Sequence, residues 1–104
     1  GTEVCSTTAE DSGFYANRWL SSFLVKPFKQ ITNQTWRTAL ENAGIESRPL
    51  WKPMHLQPVF KSYLFFGNHT SDAIFEQGIC LPSGHDLTTD QQSEIVGIIS
   101  SLYA

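Results

Sequence analysis

From Arg18 to Val25 the chain alternates, with Trp19, Ser21, Phe23 and Val25 on one side and Leu20, Ser22 and Leu24 on the other. Apolar groups on both sides suit a strand covered on two faces or lying at a domain interface, and Lys26-Pro27 ends it. Trp36, Ala39, Leu40 and Ala43 then recur at i, i+3, i+4, i+7, which predicts a short amphipathic helix. Thr32 or Asn33 serves as its N-cap, and Gly44 sits where a left-handed C-cap belongs. Ile45 to Leu50 reads as a second strand. Pro58-Val59-Phe60 opens a helical stub reaching Tyr63 and Phe66, broken at Gly67. Thr70 or Ser71 starts another short helix through Ala73, Ile74 and Phe75, closed by Gly78. Ile79-Cys80-Leu81 is a brief buried strand stopped by Pro82. Thr88 and Gln91 form a capping box, and the helix behind it carries Ile95, Val96, Ile98, Ile99 and Leu102 on its apolar face. Residues 1–13 show no apolar period and read as a loop, linker remnant or disordered tail, leaving 14–104 as the domain.

The predicted order is strand, helix, strand, ribbon, helix, short strand, helix. The tiny last strand and the irregular middle argue against a doubly wound parallel sheet. The expected class is α+β: a small, mainly antiparallel three-stranded sheet with helices packed on one face. At 104 residues such a domain buries roughly 60–70% of its unfolded surface.

The ribbon is the most distinctive stretch: Arg48-Pro49-Leu50-Trp51-Lys52-Pro53-Met54-His55-Leu56-Gln57-Pro58. Three prolines fix φ, remove backbone donors and push Arg48, Lys52 and Gln57 toward extended geometry. A stiff extended segment that presents two cations, an imidazole, a carboxamide and an indole suits an anionic ligand with a ring to pack against. The plainer reading is a strand end running into a proline-rich loop, with Trp51 and Met54 filling the core.

Composition narrows the classes. A formal net charge of −3 supplies no basic field for nucleic acid or an anionic membrane surface. No apolar run reaches the roughly 18–20 residues of a membrane span, and the start has no leader-like pattern. The chain begins Gly1-Thr2-Glu3 without an initiator methionine, which reads as a piece of something longer. Cys5 and Cys80 make no Cys-x-x-Cys pattern and are expected as free thiols in a reducing, cytoplasmic setting. His55, His69 and His85 are fourteen and sixteen residues apart; with no carboxylate expected beside them, no metal site is predicted. Asp72, Glu76 and Glu94 read as helix surface charges. Ser83-Gly84-His85-Asp86 is a turn before a helix cap, without a supporting nucleophile motif.

"RPLWKPMHLQPVF", followed after a gap by "GICLPSG" and a terminal amphipathic helix, resembles the C-terminal part of the DegT/DnrJ-type (StrS-like) sugar aminotransferases. These are pyridoxal-phosphate enzymes that aminate nucleotide-linked keto-sugars. The likeness runs from about Asn17 to the end. It implies the small C-terminal domain of a fold-type I enzyme, agreeing with the class read from the elements. It implies an amino donor such as glutamate and a keto-sugar acceptor for polysaccharide, glycan or antibiotic assembly. It also implies a homodimeric parent whose active sites are shared between chains.

Such a transaminase needs a lysine to hold the cofactor covalently and an acid against its pyridine nitrogen. Lys26, Lys29, Lys52 and Lys61 lack the family's context for that lysine, which belongs to a preceding large domain. No catalytic residue is therefore assigned here, and no pyridoxal phosphate is expected on this chain alone. The resemblance implies substrate contacts for His55, Lys52, Trp51, Met54 and Gln57, with Arg18 a further candidate for an anion. Each has a plainer account. His55 can cap a turn, Lys52 can be a solvated charge, and Trp51 and Met54 can belong to core or interface. Gln57 can bond its own loop, and Arg18 can sit against Trp19. The competing function is a non-catalytic ligand-binding or regulatory α+β module.

Overall fold

A computed structural model describes residues 3–7 and 9–104. Gly1, Thr2 and Thr8, part of the expected tail, lie outside the described residues. The alternating segment becomes the middle strand of a three-stranded antiparallel sheet. Its order is β1 (Cys5–Ser6), β2 (Ser21–Val25), β3 (Gly78–Leu81). Three helices complete the chain: α1 (Asn33–Asn42), α2 (Thr70–Gln77) and α3 (Thr89–Ser101). The sheet is antiparallel and three-stranded as expected, but its membership differs.

The expected strand over Ile45–Leu50 contributes a single bridge. Arg48 N–H donates to Cys80 C=O at 3.0 Å, and Cys80 N–H donates back at 2.7 Å. Ile45 is occupied in closing α1, and Pro49 has no N–H to extend a ladder. The third strand comes instead from the segment read as a tail, where Cys5 pairs with Val25 and Ser6 with Leu24. Lys26 N–H donates to Val4 C=O at 2.9 Å, which continues the pairing. No apolar period marks so short an edge strand, so only the free edge of β2 reveals it.

Helix ends follow local chemistry closely. The Thr32 N–H donates to Thr35 Oγ1 at 3.0 Å at the start of α1. At its end Gly44 adopts φ +75°, Ile45 N–H reaches Leu40 C=O, and Gly44 N–H reaches Glu41 C=O, both at 2.9 Å. This is a Schellman-type closure, which favours glycine at the left-handed position. The predicted box at α3 is present: Gln91 N–H donates to Thr88 Oγ1 at 3.2 Å, and Thr88 N–H to Gln91 Oε1 at 2.9 Å.

Two-residue periodicity puts Phe23, Val25, Ile79 and Leu81 on one sheet face, since Phe23 pairs with Ile79. Trp36 of α1 and Ile99, Leu102 and Tyr103 at the end of α3 pack against this face. The Trp36 indole donates to Tyr103 Oη at 2.9 Å. A buried amide joins helix and sheet, Asn33 Nδ2 donating to Gly78 C=O at 2.9 Å.

Gly78, expected to close a helix, passes α2 directly into β3 in extended geometry, φ −84° and ψ 152°. A Cβ there would collide with Leu50 and come within 2.6 Å of the Ile74 carbonyl. Glycine is thus required for close approach rather than for a turn. The helical stub is shorter than expected, a 3₁₀ turn over Pro58–Phe60.

Candidate functional site

The ribbon departs from the stiff extended form. Met54–Leu56 make a 3₁₀ turn, with Leu56 N–H donating to Pro53 C=O at 3.0 Å and Gln57 N–H to Met54 C=O at 3.1 Å. Prolines restrain the residue before them, and Gln57 is indeed extended at φ −78°, ψ 137°. Met54, His55 and Leu56 precede no proline, so they are free to turn. The turn carries His55 toward α2 instead of along a flat strand.

Around the turn lies a cavity of about 850 Å³, lined by the ribbon from Trp51 to His55, by Gln57, and by Phe60, Tyr63, Leu64, Phe65, Phe66 and Ser71. Five of the six expected ligand-contacting residues border it: Trp51, Lys52, Met54, His55 and Gln57. Arg18 does not. It is exposed at φ +57°, next to Trp19. The second ribbon cation, Arg48, turns outward, and its guanidinium pairs with exposed Glu46 at 2.6 Å. Lys52 is exposed at the cavity rim, and no salt bridge engages it among the described residues. Gln57 Nε2 donates to Lys52 C=O at 3.3 Å, so it braces its own loop, as its plainer reading holds.

Trp51 is not core filler. It is 67% exposed and packs on Trp19, ring centroids 6.2 Å apart. It also borders a second cavity of about 660 Å³ between the Arg48 bridge and the end of β3. Met54 is likewise exposed.

Sequence spacing missed the strongest polar constellation. His55 Nε2 stands 2.5 Å from Asp72 Oδ1, and His69 Nδ1 stands 3.0 Å from Asp72 Oδ2. Asp72 is no surface charge, its side chain being 22% exposed. Nor are the histidines isolated, because α2 brings a carboxylate between two of them. Phe65 closes the group, with ring centroids 4.0 Å from His55 and 4.6 Å from His69. Gly67, at φ +149°, lets the Phe65 ring lie where a Cβ would touch it. Burial alone would raise the Asp72 carboxyl; the hydrogen bond from His69 and the charge and proton of His55 outweigh it and hold the acid below its ordinary range. Asn68, whose Oδ1 accepts from Thr70 Oγ1 at 2.7 Å, is a local signal that a helix begins here. Nothing within that window points to His55.

Other chemistry is poorly supplied. Burial, then Glu3, pushes the Cys5 thiol upward, away from a reactive thiolate. Cys5 and Cys80 lie on the two outer strands, opposite Val25 and Ser22 of β2, so two strand spacings and a three-residue offset put them roughly 14 Å apart, beyond disulfide reach. All four lysines are exposed; Lys26 shares a cavity with the Glu3 carboxylate but with no aromatic, and Lys52 one with aromatic walls but no carboxylate. The residues present therefore do not by themselves fit a covalently held pyridoxal phosphate. No helix among the described residues is long and apolar enough to cross a membrane.

A model of the DegT/DnrJ/EryC1/StrS aminotransferase family matches residues 1–100. EpsN of Bacillus subtilis (strain 168), named as a pyridoxal phosphate-dependent aminotransferase, is 37% identical over 92 residues, which are 85% of this chain and 23% of that protein. The GDP-perosamine synthase of Vibrio cholerae is 31% identical over 98 residues, 90% of this chain and 26% of that one. A crystal structure of a DegT DnrJ EryC1 StrS aminotransferase from Brucella abortus superposes with a TM-score of 0.77 at 22% identity, over 95% of this chain and 26% of its own. That last likeness concerns the fold alone. The chain spans about a quarter of the length of these relatives.

Proposed function

The chain belongs to the DegT/DnrJ/EryC1/StrS aminotransferase family, and on that premise we propose that it is the small C-terminal domain of a sugar-nucleotide transaminase. The observation that carries this reading is the cavity beside the 3₁₀ turn. It combines aromatic and thioether walls, one free ammonium and one held imidazole within a single chain. Apolar walls with a few convergent polar groups are the usual make-up of a small-molecule site.

In this reading Trp51 and Met54 pack against the base or sugar. Lys52 supplies a mobile point charge to the diphosphate. His55 meets a sugar hydroxyl or a phosphate oxygen. Pyridoxal phosphate supplies the electron sink for amino transfer and is held by residues outside this chain. The donor is glutamate, the parent is a cytoplasmic homodimer, and Arg18, which does not border the cavity, has no part in it. The exposed Trp51, Tyr63, Leu64 and Phe66 form an apolar surface of the kind that other protein covers, here the rest of the enzyme and its partner subunit.

The test expresses the complete reading frame beside the 104-residue chain and adds pyridoxal phosphate to each. Visible absorbance of bound cofactor in the longer protein, discharged by glutamate, with none in the short chain, is the expected result. No absorbance in either, or no longer frame to express, would leave a free-standing ligand-binding module. In the complete enzyme, His55→Ala should raise the sugar-nucleotide KM or slow turnover while cofactor binding persists. Unchanged kinetics with only a lower Tm would remove His55 from the site.

A further inference from the structure

We propose that Asp72 is a positioning residue for His55, a role that rests on the cavity being a ligand site. His55 Nε2 and Asp72 Oδ1 are both sealed from solvent and have no other partner among the described residues. Their 2.5 Å approach falls outside hydrogen-bond geometry as it stands, and two bare acceptors so close would repel. An Nε2–H relieves that repulsion, and a small turn of the ring would aim it at the carboxylate oxygen. That leaves Nδ1 as the ring nitrogen available to a ligand. It accepts from a hydroxyl when the ring is neutral and donates to a phosphate oxygen when the ring is charged.

The support is built from rigid parts. Asp72 occupies the first turn of α2, where the helix dipole favours an anion. Its second oxygen is taken by His69, so the carboxylate cannot swing away freely. Phe65 lies against the His55 ring and limits its rotation. His69 is mostly exposed and does not border the cavity, which makes it a brace for Asp72 rather than a ligand contact.

Long-range proton–nitrogen NMR of the imidazoles reads the claim directly on this chain. At about pH 8, where imidazoles are largely neutral, wild-type His55 should hold its proton on Nε2. Asp72→Ala should turn it into a tautomer mixture, and Asp72→Glu should partly restore it. A bare Nε2 in wild type, or a tautomer that ignores Asp72→Ala, overturns the proposal. Should Asp72→Ala fail to fold, Asp72→Leu, similar in size and without an acceptor, is scored the same way.

In the complete enzyme, Asp72→Ala should weaken competition by GDP about ten-fold, as expected for losing a hydrogen bond to a charged group. His69→Gln should change it little. GDP competition lost in His55→Ala but intact in Asp72→Ala sinks the positioning role and leaves the ligand site standing. A tautomer that follows Asp72 while neither variant moves GDP keeps the positioning and removes the ligand reading.

Discussion

Trp36 and Trp51 are fifteen residues apart and meet opposite fates. Trp36 is 2% exposed, wedged between the sheet and α3, with its N–H given to Tyr103. Trp51 is two-thirds exposed and rests on another exposed indole, Trp19. The helical face completes its own burial. The ribbon and the loop to Phe66 leave Trp51, Met54, Tyr63, Leu64 and Phe66 open to a cavity and to solvent. A chain spends aromatic surface this way where something else is to cover it, a ligand or further protein, whereas a self-sufficient core would close over it.

The sharpest way to break this comparison is to truncate both indoles. Trp36→Ala should cost about 3–5 kcal/mol of unfolding free energy, whereas Trp51→Ala should stay within about 0.5 kcal/mol, as for other exposed sites. Urea unfolding of the two variants checks it. Equal losses would mean that the ribbon belongs to the core after all.

A smaller effect tests the seam between the regions, where Leu50 of the ribbon packs on the bare backbone of β3. Gly78→Ala should destabilise by about 1–3 kcal/mol through overpacking. Leu50→Ala in the same chain should recover part of that loss, because it removes the atoms the new Cβ strikes. Additive losses in the double variant would show that the contact is not shared.

The smallest effect is a pH response confined to the ribbon side. The Asp72 carboxyl is held low in the folded chain, so its contribution is present above the ordinary carboxylate range and is lost as pH falls through the folded value. Acidification should therefore loosen α2 and the His55 turn before it affects α1 and α3. Amide exchange as a function of pH distinguishes the two sides. The same loosening in Asp72→Asn would assign it to another group.

Most of the helical face was legible in the residues. Thr32, Gly44, Thr88 and Gln91 mark ends that depend on neighbours three or four positions away, and the Trp36–Ala43 spacing fixes which face is buried. The likeness of the proline block to a known family singled out a segment, and five of its expected residues border one cavity. What was illegible is equally specific. Cys5–Ser6 has no strand signal of its own, and Ile45–Leu50 has one that Pro49 cuts to a single bridge. His55 and Asp72 are seventeen residues apart, with a turn and a loop between them.

By itself, then, the sequence determined the capped ends of α1 and α3, the buried stripe of α1, the middle strand and the α+β class. Each is a short-range consequence of backbone sterics, capping and periodicity. Only the tertiary structure decided which segment completes the sheet, where the ribbon bends, and that one carboxylate holds two imidazoles. Those outcomes depend on which edges and side chains remain unpaired once the rest has packed, and no local window of residues contains that information.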